Sequence, residues 1–201
     1  MDIVLQLWGG GFYLLNKIFF ALAEGKGGES KRRMRIVGWT VYLLGVPAWV
    51  IILAGKHDWI AASVEAGGVP AMLFGLYNVC RVSEMPNRLF DMFATFFTYA
   101  ALIFGVAFSL HDYGGLTTTS QTLEIGVMVG FLIGSYLLAK QNMYGWVFFM
   151  LMNVSMATLM LVQQKPILSV QQIVSLSFVI YGFVIAYKTA KKGNVEKKVL
   201  L

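Results

Sequence analysis

Three residues, Trp146, Phe149 and Asn153, stand three and then four positions apart inside a long apolar run. On an α-helix that spacing gathers them on one face. Two rings followed by an amide suit a flat heteroaromatic solute, because the rings stack on it and the amide fixes its orientation. Plainer uses stay open. Trp146 lies near the end of its run, where tryptophan anchors a helix at the membrane–water boundary, and Asn153 can bridge to a neighbouring helix. Glu65 is the acid set deepest in an apolar run. It reads either as a gate or substrate hydroxyl contact, or as a carboxyl reaching water through the interface. Gly67, Gly68 and Pro70 follow it and allow a bend there, since proline removes a backbone hydrogen bond. Trp49 is a further stacking candidate, with packing against lipid as its other use.

Other chemistries have no residues to carry them. His57 and His111 stand alone, and HExxH, GxSxG and Walker patterns are absent from the sequence. The single cysteine, Cys80, rules out an internal disulfide framework and a cysteine-rich metal cluster. No enzyme activity, cofactor or metal is expected. Gly9, Gly10 and Gly11 follow no strand, so they favour close helix packing over a nucleotide loop.

The elements that must position these residues are membrane helices. Of the 201 residues, 58% are hydrophobic and only 13% charged, and mean hydropathy is +0.69; a soluble domain of this size could not bury that much apolar surface. A span takes about 20 apolar residues, and seven candidates fit: 3–23, 35–54, 59–79, 88–110, 121–139, 143–162 and 167–187. The N-terminus has no basic region of a cleavable signal, so the first run is expected to be a permanent anchor. The polar stretch Glu24–Ser30 reads as a flexible linker.

Thirteen lysines and arginines fall on one side of these spans: Lys26, Lys31, Arg32, Arg33, Arg35, Arg81, Arg88, Lys140, Lys188, Lys191, Lys192, Lys197 and Lys198. The other side holds Lys56 and Lys165. The positive-inside rule puts the N-terminus outside and the C-terminus in the cytoplasm. Lys17, late in the first span, is expected to snorkel toward the basic side. The net charge of +6 then records topology and contact with anionic lipids, with no nucleic acid expected as a partner.

The chain also repeats itself. Residues 37–78 and 144–185 align without a gap at an offset of 107, from Gly38-Trp39 against Gly145-Trp146 to Gly75 against Gly182. Identities are few, but the layout is shared: Gly-Trp, an apolar helix, a short polar break, a second apolar helix, glycine. The offset pairs Glu65 with Gln172 and suggests that they face each other across an axis. Three helices that start outside and end inside need a single return helix before a parallel second copy. The expected fold is therefore an all-α membrane protein of seven transmembrane helices, two parallel three-helix bundles joined by a linker helix (3-1-3). The first bundle is 1–79, the linker and its loops 80–120, and the second bundle with its basic tail 121–201.

That arrangement resembles the SWEET and PQ-loop superfamily. Within it, Gly130–Lys140, Gly145-Trp146 through Asn153, and Tyr181-Gly182 resemble the PnuC-type vitamin transporters. Trp146 and Asn153 fit that family's pattern, while Phe149 and Met160 stand where it has Trp and Tyr. The resemblance implies facilitated diffusion of a small vitamin such as nicotinamide riboside, by alternating access, across a bacterial inner membrane. It places substrate at Asn153, Trp146, Phe149, Gln172, Glu65 and Trp49, and it implies a homotrimer. A SWEET-like sugar carrier and a non-transporting receptor or scaffold use the same fold.

Overall fold

In the computed structural model, the backbone is described for residues 2–81 and 87–199, and side chains from residue 4 to residue 191 within these. Part of the third predicted break, 82–86, and the lysines at 192, 197 and 198 lie outside the described side chains. Eight α-helices are formed among the described residues: α1 (Asp2–Glu24), α2 (Gly28–Gly55), α3 (Trp59–Gly67), α4 (Val69–Cys80), α5 (Arg88–Asp112), α6 (Thr119–Ala139), α7 (Tyr144–Val162) and α8 (Pro166–Val199). Helices α3 and α4 are the two parts of one predicted span, broken at Gly68 with Pro70 in the first turn of α4. Among the described residues six segments, counting α3–α4 as one, are long and apolar enough to cross a membrane. The seventh predicted span, α1, is not among these six and carries Gln6, Asn16 and Lys17. Asn16 and Lys17 are fully buried. The chain is an integral membrane protein, all-helical among the described residues.

The helices pack as a closed ring. α1 lies on α2, α2 on α3 and α4, α4 on α6, α6 on α7, α7 on α8, and α8 returns to α1. α5 sits outside, against α3, α4 and α6. It exposes Leu89, Met92, Phe93, Phe96, Ile103 and Phe108, which suits a helix facing lipid on one side.

The turns give the 107-residue offset a structural counterpart. α2 and α7 end at Gly55 and Val162, and α3 and α8 begin at Trp59 and Pro166. In the first turn the Asp58 amide donates to Leu53 O (3.0 Å); in the second the Lys165 amide donates to Met160 O (2.8 Å). His57 and Gln164, also 107 apart, both take positive φ, at 62° and 57°. This left-handed residue with a bond reaching back five positions is a common way to stop a helix and satisfy its last carbonyls. The turn from α6 to α7 uses the same closure, with Gln141 at φ 56°.

Two packing contacts repeat at the same offset. Trp39 lies on Gly75, and Trp146 on Gly182, so closely that a methyl group on either glycine would overlap the indole. Both tryptophans are almost wholly buried. Trp146 is therefore a core residue, and the boundary-anchor reading does not hold for it.

The linker expected at Glu24–Ser30 is a correction. Helix resumes at Gly28, and the acidic and basic side chains around it are tied together. Glu24 accepts from Lys31 (2.8 Å) and from Arg35 (2.7 Å), and Glu29 pairs with Arg33 (3.2 Å). The four-residue spacing along α2 favours the Glu29–Arg33 pair, while Glu24 reaches its partners across the turn from α1.

Candidate functional site

Phe149 and Asn153 point into the middle of the ring of helices, and both are fully buried. The spacing argument holds: Trp146, Phe149 and Asn153 share the inward face of α7. Close approach is allowed by Gly134 of α6, against which the Phe149 ring lies. Asn153 Nδ2 donates to Phe149 O (2.7 Å). Its Oδ1 is buried and has no hydrogen-bond partner among the described residues. An orphaned amide oxygen in a dry interior is unfavourable by roughly 1–3 kcal/mol, and its natural complement is a donor on something that enters the site.

Across from α7 stands Tyr42 of α2, fully buried and 107 residues before Phe149. The two rings meet edge to face, centroids 6.3 Å apart. The Tyr42 hydroxyl is 3.1 Å from the Ser135 hydroxyl of α6. In the mirrored position, Lys17 of α1 reaches Phe149, with its Nζ 3.6 Å from that ring's centroid and 4.4 Å from that of Tyr42. Its one hydrogen bond among the described residues is to Asn16 Oδ1 (3.1 Å), and Asn16 in turn donates to Gly38 O (3.0 Å). Lys17 does not snorkel. The rings and amide around it hold its Nζ inside, about 10 Å from the Glu24 end of α1 at ~1.5 Å per residue.

A second cluster lies one turn further along α1. The Tyr13 hydroxyl donates to Glu65 Oε1, so Glu65 is held by α1. Its expected counterpart, Gln172, is half-buried on α8, where its neighbour Gln171 packs over Gly10. No hydrogen bond joins Glu65 to Gln172 among the described residues. Trp49 turns inward as well: it packs over Gly9, its ring lies 6.3 Å from that of Tyr13, and its buried Nε1 has no acceptor among the described residues. Tyr13 joins the clusters, meeting Tyr42 edge to face at 4.9 Å. Orphaned groups thus bracket the aromatic column, a donor at Trp49 and an acceptor at Asn153.

No family model matches the chain, and no curated protein or solved structure matches it either.

At the basic end the column meets a cavity of about 290 Å³ lined by Glu24, Arg35, Gln141, Asn142, Thr189 and Trp146, among others. Burial would raise the Glu24 carboxyl, but the charges and hydrogen bonds of Arg35 and Lys31 outweigh it and hold the group below its ordinary value. On the other side of this end, Lys140 donates to Asp91 (3.0 Å). That hydrogen bond, the largest effect on it, raises the Lys140 ammonium above its ordinary value.

Of the residues named from sequence, the structure joins Phe149, Asn153 and Trp146 on one face, and Glu65 and Trp49 around Tyr13. Gln172 joins neither group. Sequence reasoning missed Tyr42, Tyr13, Ser135 and Lys17 as members of the site. Tyr42 was accessible through the repeat, as the partner of Phe149. Lys17 carried the signal of any charge within an apolar run.

Proposed function

We propose that the chain is a membrane transporter for a small, flat solute such as a vitamin of the nicotinamide riboside kind. The observation that carries this reading is the buried aromatic column with an unpaired acceptor, Asn153 Oδ1, beside the Phe149 ring. Stacking on Phe149 and Tyr42 would bind the ring, and Asn153 would accept from a donor on the solute. Trp49, with its unpaired indole N–H, is the contact at the far end of the path, and Trp146 borders the cavity at the basic end.

In this reading the molecule is a 3-1-3 bundle, with α1, α2 and α3–α4 as one triple, α6, α7 and α8 as the other, and α5 as the linker. Support comes from the ring of contacts, which maps onto itself when the triples are exchanged, and from the matching turns and Trp-on-Gly contacts. The break at Gly68 is the hinge for rocking one triple against the other. The basic end faces the cytoplasm of a bacterial inner membrane, and a homotrimer is the assembly proposed. The cycle is facilitated diffusion, with the solute crossing on its own electrochemical gradient.

The test is thermal stabilisation of the purified chain by a vitamin panel. A ring-bearing vitamin should stabilise the chain, and Asn153→Ala should weaken its binding at least about tenfold, equivalent to roughly 1.4 kcal/mol. Stabilisation by none of the panel, or equal binding by Asn153→Ala, would contradict the assignment.

A further inference from the structure

Two seams join the triples, α4 against α6 and α8 against α1, and they are not built alike. Hydrogen bonds tie the first. The Tyr42 and Ser135 hydroxyls meet at 3.1 Å between α2 and α6, and Asn78 Nδ2 of α4 donates to Ala139 O at the end of α6 (3.0 Å). α5 straps this seam from outside. It bonds α6 near both of its ends: Asp91 accepts from the Tyr136 hydroxyl (2.9 Å), and Ser109 O accepts from Gln121 Nε2 (3.0 Å). Between them, Gly105 of α5 lies so close to Val64 of α3 and Met128 of α6 that a methyl group there would overlap both.

The second seam has no such tie among the described residues. Every hydrogen bond of an α1 side chain ends on α1, α2 or α3, and every one of an α8 side chain ends on α7 or α8. Lys17 touches the Phe149 ring of α7 without a hydrogen bond to it. The repeat accounts for the difference. At the 107-residue offset Tyr42 is matched by Phe149, which has no hydroxyl, and Asn78 by Ile185, which has no amide side chain. Packing alone closes this seam at one end, where Gln171 of α8 lies over Gly10 of α1. At the basic end the cavity of about 290 Å³ stands between Glu24 of α1 and Ala186, Thr189 and Ala190 of α8.

We propose that the triples part along the α1–α8 seam alone, with the α4–α6 seam as the fixed edge, and that the solute reaches the aromatic column between α1 and α8. This inference rests on the transporter reading and adds the route to its site. Parting the first seam would strand amide, hydroxyl and carbonyl groups in a dry interior. Parting the second breaks packing contacts only, which lipid or an entering solute replaces. The hinge at Gly68 borders the fixed edge, where the Phe131 ring of α6 lies against it. Rocking about that edge moves α1 away from α8 and leaves the strap of α5 in place.

Flux of labelled nicotinamide riboside into vesicles containing the full chain tests this, with Cys80→Ser removing the native thiol. Gly25→Cys with Tyr181→Cys, joined by a short reducible bis-thiosulfonate linker, fastens α1 to α8. The Tyr181 hydroxyl approaches Gly25, so the linker takes the place of the ring. Asn78→Cys with Ala139→Cys, joined in the same way, fastens α4 to α6. The first link should lower flux at least about tenfold, with recovery on reduction, and the second should leave flux within about twofold. Flux that survives the first link, or that the second link stops, would overturn the proposal and leave the transporter reading standing. No flux by the unlinked chain would remove both. If either pair does not fold, hydrogen exchange of the unaltered chain decides. Residues 21–24 at the end of α1 should exchange at least about tenfold faster than residues 136–139 at the end of α6. Equal rates or the reverse order would overturn the proposal.

Discussion

The two halves of the molecule agree at their edges and differ at their centre. Trp39 on Gly75 and Trp146 on Gly182 are the same contact, and the turns that follow α2 and α7 close with the same bonds. Between them, Tyr42 and Phe149 hold equivalent places but meet different partners. Tyr42 faces a serine hydroxyl across the halves, and Phe149 faces the Nζ of Lys17. Packing rules constrain the edges, because a glycine under an indole admits no other side chain without displacement. The centre is free to diverge only if its groups do something other than pack. The proposed function lies at this divergent centre, between Lys17 and Asn153.

Several substitutions would break or sharpen this contrast. The largest effects belong to the shared contacts: Trp39→Ala and Trp146→Ala should each destabilise by about 3–5 kcal/mol, and the two should agree within about 1 kcal/mol by denaturation in detergent. A large disparity would break the equivalence of the halves. Gly75→Ala and Gly182→Ala follow at about 1–3 kcal/mol each, read in the same assay. At the centre, Asn153→Ala should leave stability within about 1 kcal/mol of the parent, since it removes an unpaired acceptor along with one local bond, while abolishing most solute binding. Loss of stability with binding retained would make Asn153 a packing residue.

The basic end separates the halves by pH. Glu24 is held below its ordinary value of 4.5, so its stabilising contribution is full above that value and is lost as pH falls through the lowered one. Lys140 is held above its ordinary 10.5, so its contribution is full below that value and is lost as pH rises through the raised one. Acid should therefore loosen the α1–α2 corner and alkali the α5–α6 corner, checked by hydrogen exchange of Lys26–Arg35 against Lys140–Tyr144. The smallest effects are at the matched turns: His57→Gly and Gln164→Gly should each stabilise by about 0.5–1 kcal/mol, since both residues hold positive φ.

Much of the fold was legible because apolar runs and turn residues carry local information. Span limits such as 59 and 139 coincide with helix limits, and the offset of 107 runs through helix ends and contacts alike. Glu24–Ser30 was misread because composition does not reveal that Glu24 bonds Lys31 and Arg35, which fasten helix ends across the turn. The site was half legible. Spacing along one helix found the α7 face, since that depends only on period. It could not tell that Glu65 meets Tyr13, or that Lys17 turns toward Phe149, because those contacts depend on how separate helices rotate about their axes. The repeat held information left unused, in that Tyr42 is the counterpart of Phe149.

The most direct test of a central site open by turns to either side is thiol labelling at Ser135. With Cys80→Ser removing the native thiol, Ser135→Cys places a small reactive group beside Tyr42 and within the column. In oriented vesicles the account predicts labelling by a membrane-impermeant reagent added to either face, and protection by nicotinamide riboside from both. Labelling from neither face, or labelling that the solute leaves unchanged, would contradict it.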